Sequence, residues 1–294
     1  VINCITRKEY TGVGVAGDVS LPAASGGGKT YTAGITGGVG SLSEQGWNVF
    51  GGISYAKQDA LAATSRDFAK TSYIPEKGVN KTSGTTFPAT YNQTINGVSE
   101  SFNPSAPDCA PPFSLATPSC RFDYVPFINI IPEQEQWSLI AKGSFAVNKD
   151  NTISLEYIQA NNSVASIISP TPVTGLTMSP ANPFFPGAGI TPGNSNSGFD
   201  SAAPVGLAWR QTEVGGRAST FDNKTDRIML AWEGQYKGWD YSATAFQSKA
   251  DVKNTFTGGY VNSTMLRDGL TAGGVSGVPW LNAFGPQSAE GSAY

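Results

Sequence analysis

Apolar and polar residues alternate with a period of two in seven stretches of this chain: 11–21, 31–42, 47–59, 137–147, 152–160, 227–236 and 239–247. Successive side chains of a strand point to opposite faces, so each stretch predicts a strand with one apolar and one polar face. In the third, Trp47, Val49, Gly51, Ile53 and Tyr55 share a face, opposed by Asn48, Phe50, Gly52, Ser54 and Gln58. In the fourth, Trp137, Leu139, Ala141, Gly143, Phe145 and Val147 oppose Gln136, Ser138, Lys142 and Ser144. The last three place Ile153, Leu155, Tyr157, Ile228, Leu230, Trp232, Tyr236, Trp239 and Tyr241 on apolar faces.

Two of these strands carry aromatics eight residues apart on the apolar face, Trp47 with Tyr55 and Trp137 with Phe145. At about 3.3 Å per residue and a tilt near 40°, that interval rises about 20 Å, close to the roughly 25 Å between the aromatic girdles of an outer-membrane barrel. The connections point the same way. Tight turns near residues 44, 149 and 237 alternate with long excursions at 60–133, at 161–221 and after about 250. Barrels that cross the outer membrane sort their connections into short periplasmic turns and long extracellular loops. The expected fold is therefore all-β: an antiparallel transmembrane β-barrel, partial in this chain. The long segments lack strand alternation and exceed the usual limit for a structureless connection, which marks them as functional or disordered. The segment after residue 250 reads as mostly loop.

The polar faces carry Lys142, Glu156, Arg227 and Glu233. Unpaired charge is too costly to bury in a dry sandwich core, whereas a wet or plugged lumen accepts it. No apolar run approaches the roughly 20 residues of a spanning helix, so insertion into a membrane must use strands. A mean hydropathy of −0.19 is compatible with this, because half of every such strand is polar.

Several classes of chemistry drop out. The 294 residues contain no histidine, which removes Ser-His-Asp and Cys-His arrangements and the commonest metal ligand. A net charge of −3 with 14% charged residues and no basic run argues against nucleic acid. Gly26-Gly27-Gly28-Lys29-Thr30 has the look of a phosphate loop, but Ala23 stands where its first glycine belongs and a strand pattern follows instead of a helix. The carboxylate pairs Glu133/Glu135 and Asp222/Asp226 suit glycoside hydrolysis or calcium binding in principle, and solvated or Lys/Arg-paired groups in the more ordinary case. Asn80, Asn92 and Asn262 begin Asn-x-Ser/Thr triplets, which so Asn- and Thr-rich a chain produces by chance.

Cys109 and Cys120 bracket a Pro-rich segment, CAPPFSLATPSC, and are a candidate disulfide; two free thiols are the alternative. Cys4 lies in an apolar stretch and reads as a small buried hydrophobe.

The opening VINCITRKEYTGVGV resembles the junction of TonB-dependent outer-membrane receptors, where the last plug strand passes into the barrel. Val1, Ile2, Asn3, Ile5, Thr6, Arg7 and Lys8 match its pattern and Cys4 departs from it. WNVFGGISYAKQDAL, the TSRDFAKTSY that follows it, and LNAFGP resemble the same family. The resemblance implies that residues 1–9 are the last strand of the plug and that 10–294 are the N-terminal part of the barrel, about seven strands of a larger wall. It implies a fragment of a receptor in the bacterial outer membrane that takes up a scarce nutrient of the iron-siderophore, cobalamin or oligosaccharide class. The partners it implies are outer-membrane lipid, the TonB energy-transducing complex acting through a region before residue 1, and a small-molecule nutrient. No covalent chemistry, cofactor, metal or nucleic acid enters.

The loops would capture ligand, and Tyr91, Phe102, Arg121, Phe122 and Tyr124 are candidates there, as exposed aromatic and charged residues. A passive outer-membrane porin or adhesin-like barrel shares the strand and loop pattern. A secreted β-sandwich that binds carbohydrate is a third reading, in which the aromatics become core or ligand platforms.

Overall fold

The computed structural model describes residues 7–275 and 277–294. The strand expected at Val1–Arg7 and the environment of Cys4 fall on 1–6, outside the described residues; Arg7 itself is irregular. The chain is mostly β, with antiparallel sheets and, among the described residues, two short α-helices, α1 at Ser263–Thr271 and a single turn at Ala289–Ala293, besides a few 3-10 turns. No helix among the described residues is long and apolar enough to cross a membrane.

Contacts divide the chain into two units. The first contains residues up to Leu61, Ile131–Ser166 and Ser219–Thr255; the second contains Ala62–Ile130, Ile167–Ala218 and Phe256–Tyr294.

The first unit is built on one seven-stranded sheet whose strands follow sequence order: β1 (Gly12–Ser20), β2 (Thr30–Ser41), β3 (Trp47–Gln58), β4 (Glu133–Asn148), β5 (Asn151–Ile168), β6 (Arg217–Tyr236) and β7 (Trp239–Gly258). All seven expected strands are present. Among the described residues the sheet is open, with β1 and β7 at its edges. Three hairpins close tightly. Lys237 and Gly238 both take positive φ, 51° and 80°, the requirement of a two-residue turn whose twist matches its strands. At the β4–β5 turn, Asn148 Oδ1 accepts from the backbone N–H of Asp150 at 3.0 Å and from the Asn151 amide at 2.8 Å.

Register fixes the faces. Val15 pairs with Ile35, Ile35 with Ile53 and Ile53 with Leu139, an apolar row across four strands. These side chains are exposed: Val15 is 78% exposed, Ile53 52% and Leu230 51%.

Four strands run further than their alternation suggests. β4 begins at Glu133, β5 continues to Ile168, β6 begins at Arg217 and β7 continues to Gly258. Their extra residues, such as Asn161-Asn162-Ser163 and Ser219-Thr220, are polar on both faces, and a two-sided polar strand has no period to detect.

The second unit shows that the long segments, read as lacking strand alternation, carry strands of their own. Strands Pro172–Met178, Val205–Arg210, Thr90–Ile95 and Val98–Phe102 form a four-stranded antiparallel sheet in that order. Ala89, Tyr91, Leu176, Met178, Val205, Leu207, Trp209, Leu266, Leu270, Leu281 and Phe284 pack as one buried cluster on it. Val205, Leu207 and Trp209 alternate with Gly206 and Ala208, a short strand signature hidden in a Pro- and Asn-rich segment. The LNAFGP stretch is structural in this unit. Leu281, Ala283 and Phe284 are buried, while Asn282 Oδ1 accepts from the Phe284 N–H at 2.9 Å and its amide donates to the Pro286 carbonyl at 3.2 Å. Two of the Asn-x-Ser/Thr asparagines have local roles: Asn262 caps α1 and Asn80 accepts from the Thr82 hydroxyl.

Candidate functional site

The polar face of the seven-stranded sheet carries a crossing segment. Residues 8–10 leave the start of β1 and run over that face at its tight-turn end. Asn48, fully buried on β3, accepts from the Tyr10 N–H at 3.2 Å and donates to the Tyr10 carbonyl at 2.8 Å, with further bonds to the carbonyls of Val39 and Gly40. Glu9 accepts from the Leu42 N–H at 2.8 Å, and Lys8 reaches Glu233 on β6 at 3.3 Å. The path demands glycine beneath it. A Cβ on Gly38 would lie 2.2 Å from the Tyr10 carbonyl oxygen and 2.7 Å from Phe50 Cβ.

Two ion pairs lie on this face, Lys8–Glu233 and Arg227–Glu156. Arg227 on β6 donates to Glu156 on β5 at 2.7 Å, and the Glu156 carboxylate is buried. On the opposite face, Lys57 bridges both Glu133 and Glu135 at 3.1 Å. Asp226 accepts from the Tyr157 hydroxyl at 2.8 Å and faces Lys224 at 3.7 Å. Glu133, Glu135 and Asp226 are thus tied to cations or a hydroxyl, and no group of three or more metal-ligating side chains occurs among the described residues.

The five loop candidates fall in the second unit, where the structure separates them. Tyr91 and Phe122 are corrections: they are 3% and 0% exposed, hence core residues and not exposed ligand contacts. Tyr91 packs on Phe102 with centroids 5.5 Å apart, and its burial pushes the phenol pKa up. Phe122 stacks on Phe127 at 5.8 Å and lies under the guanidinium of Arg210 at 4.9 Å. Aromatics amid Pro, Ser and Thr look exposed in a sequence; here they are the apolar material from which the loops build a core. Phe102, Arg121 and Tyr124 are half-buried.

Three of the five meet again around one cavity of about 620 Å3, lined by Tyr91, Phe102 and Arg121 together with serines 101, 119 and 195. The hairpin Ser114–Ala116/Cys120–Phe122 holds Arg121 there, and a Cys109–Cys120 disulfide anchors that hairpin. Arg121 donates through Nε to the Thr82 hydroxyl at 2.9 Å and through Nη2 to the Thr82 carbonyl at 2.6 Å. Tyr124 lies outside this lining. The serines carried no sequence signal, because nothing distinguishes them from the many others of the long segments.

Arg210 is the residue that sequence reasoning missed altogether. Its guanidinium, 3% exposed, donates to the carbonyls of Thr85 and Pro170 and to the hydroxyls of Ser83, Thr85 and Ser169. Burial, with Arg217 nearby, lowers its pKa to about 10, so it stays charged at neutral pH. Asp123 is a second buried anchor, accepting from Thr71, from both the N–H and hydroxyl of Ser72, and from the Val125 N–H.

The class defined by this architecture is an all-β chain of antiparallel sheets. No family model matches it, and no curated protein or solved structure shows significant similarity to it.

Proposed function

We propose that this chain is the plug-to-barrel junction and the first seven barrel strands of a TonB-dependent receptor, which takes up a scarce nutrient across the bacterial outer membrane. The observation that carries this reading is the seven-stranded sheet in sequence order, apolar and exposed on one face and polar, with the Arg227–Glu156 ion pair, on the other. Lipid is the solvent that such an apolar face suits, since a soluble monomer rarely leaves so large a patch exposed. A secreted sandwich would cover that face with a second sheet.

The crossing of residues 8–10 over the polar face favours a receptor over a passive porin or adhesin-like barrel. A plug inside the lumen must hand its chain to the first wall strand across that surface, and Asn48 and Gly38 are shaped to receive such a crossing. In this reading the long connections, which supply the second unit, face the outside and capture the nutrient. The energy comes from TonB, and no covalent chemistry is done.

The test uses the full-length protein. An impermeant maleimide applied to intact cells should label Phe68→Cys, on an exposed loop residue, and spare Lys149→Cys in a tight turn. The purified protein in detergent should also retain the periplasmic domain of TonB. Labelling of both positions, or of the turn alone, rejects the topology; a correctly labelled barrel that retains no TonB is a porin or adhesin.

A further inference from the structure

The 620 Å3 cavity of the second unit has a chemical bias. No Asp or Glu lines it, and Arg121 makes no ion pair among the described residues. Thr82 takes up Nε and Nη2 of its guanidinium, which fixes the plane of the group and leaves Nη1 uncommitted. A guanidinium held by two neutral acceptors keeps its full charge for an incoming anion. Ser101, Ser119 and Ser195 add three hydroxyls that bond to no other described residue, each able to donate and accept. The half-buried Phe102 ring, backed by Tyr91, supplies an apolar surface beside them. The volume falls within the range of small-molecule pockets.

We infer that this cavity binds a polyhydroxylated carboxylate, its carboxylate on Arg121 and its hydroxyls on Ser101, Ser119 and Ser195. Ligands of this chemistry are acidic oligosaccharides built from uronic acids and iron(III) chelates of sugar acids. The guanidinium supplies the charge selection and the hydroxyls recognise a ligand that itself both donates and accepts. A neutral sugar leaves Arg121 without a counter-charge, and an apolar ligand leaves the three hydroxyls unmatched. The inference deepens the proposed receptor reading and rests on it for the role of the loops.

The measurement is calorimetric titration of the full-length protein in detergent at low salt with three probes: trigalacturonate, its methyl ester and iron(III) gluconate. Trigalacturonate is expected to bind at least tenfold more tightly than its ester, or iron(III) gluconate to do so, and whichever is tighter names the source. Arg121→Gln should abolish the preference for charge, and Arg121→Lys should keep part of it. Ser119→Asp leaves Arg121 and Thr82 in place and should also reduce carboxylate affinity tenfold, which separates charge recognition from any loosening of the hairpin. Failure of both trigalacturonate and iron(III) gluconate to bind more tightly than the ester, binding of none of the three probes, or a preference that survives both Arg121→Gln and Ser119→Asp overturns the inference. Fractionation of the same cells keeps the two ideas apart. Protein found in the outer membrane but blind to the carboxylate rejects this inference alone, whereas carboxylate-selective protein found outside that membrane rejects the receptor reading and leaves the cavity assignment standing.

Discussion

Tyr55 on β3 sits directly opposite Trp137 on β4, and at the other end of the same strand pair Trp47 sits opposite Phe145. Two aromatic intervals found separately in the sequence therefore align into two rows bounding one apolar band. Just past the Tyr55–Trp137 row, Lys57 pairs with Glu135 in the register and bridges Glu133 as well. The order apolar band, aromatic row, ion pairs is the order in which hydrocarbon gives way to headgroups and water.

That band predicts an asymmetry between the faces. Leu230→Arg, on the apolar face, should destabilise the full-length protein folded into vesicles by about 2 to 4 kcal/mol if the position lies near the midplane. Gln235→Arg, on the polar face of the same strand, should cost far less. Equal costs, measured by urea unfolding from the bilayer, would show that the apolar face does not meet lipid.

Asn48 predicts how the crossing segment is held. It makes four hydrogen bonds while fully buried, so Asn48→Ala leaves the Tyr10 backbone unpaired and should cost about 1 to 3 kcal/mol. Gly38→Ala should act at the same point by collision with the Tyr10 carbonyl. Both variants should raise the rate of proteolysis around residues 7–10 relative to wild type; unchanged cleavage would mean that the crossing does not depend on this contact.

Much of the seven-stranded sheet was legible because apolar and polar residues alternate along its strands, and the period of two survives in β1 to β7. What was not legible follows from the same physics. Strand ends such as Asn161–Ser163 are polar on both faces, and the second unit draws its core from distant segments: Tyr91, Trp209, Leu270 and Phe284 meet only in three dimensions. Of the loop candidates, Arg121, Phe102 and the buried Tyr91 line a cavity, whereas Phe122 shows why aromatic character alone cannot separate a binding residue from a core residue.

Arg210 should be the most sensitive position of the second unit. Arg210→Met keeps much of the volume over Phe122 but strips partners from the Thr85 and Pro170 carbonyls, at a cost of roughly 3 kcal/mol, the order of one or two charge-assisted hydrogen bonds. The sign of the pH effect is fixed by the lowered pKa. Where the folded group titrates near 10 and the unfolded one higher, the unfolded chain binds the extra proton, so this residue's contribution to stability rises with pH above about 10. Below that range its contribution is flat. Thermal melts of wild type and Arg210→Met across pH 9 to 11 should therefore diverge in favour of wild type, and only at the alkaline end; a difference that changes between pH 6 and 8, or that narrows above pH 10, would contradict the assignment.

The Cys109–Cys120 disulfide closes a short loop that supports the Arg121 hairpin. Non-reduced protein taken from intact outer membranes should show neither cysteine free to alkylation. Replacing both by serine should cost up to about 3 kcal/mol on the loop-entropy model and should weaken any ligand that depends on Arg121. Full alkylation of both without prior reduction would remove the constraint from the hairpin.

The open edges of the sheet govern what residues 1–294 do alone. β1 and β7 each lack a second neighbour among the described residues, and the face between them presents Val15, Ile53, Trp137, Leu230 and Trp239 to the surroundings. In hydrocarbon, unpaired edge N–H and C=O groups cannot be tolerated; in water the same edges and apolar surface invite association. Expressed alone in water, the chain should aggregate or remain largely unfolded, with slowly exchanging amides absent from β1 to β7. The full-length protein in detergent should protect those same amides. A soluble monomer of residues 1–294 that melts cooperatively and protects the amides of all seven strands would be a complete soluble β-protein, and the membrane reading of the apolar face would fall with it.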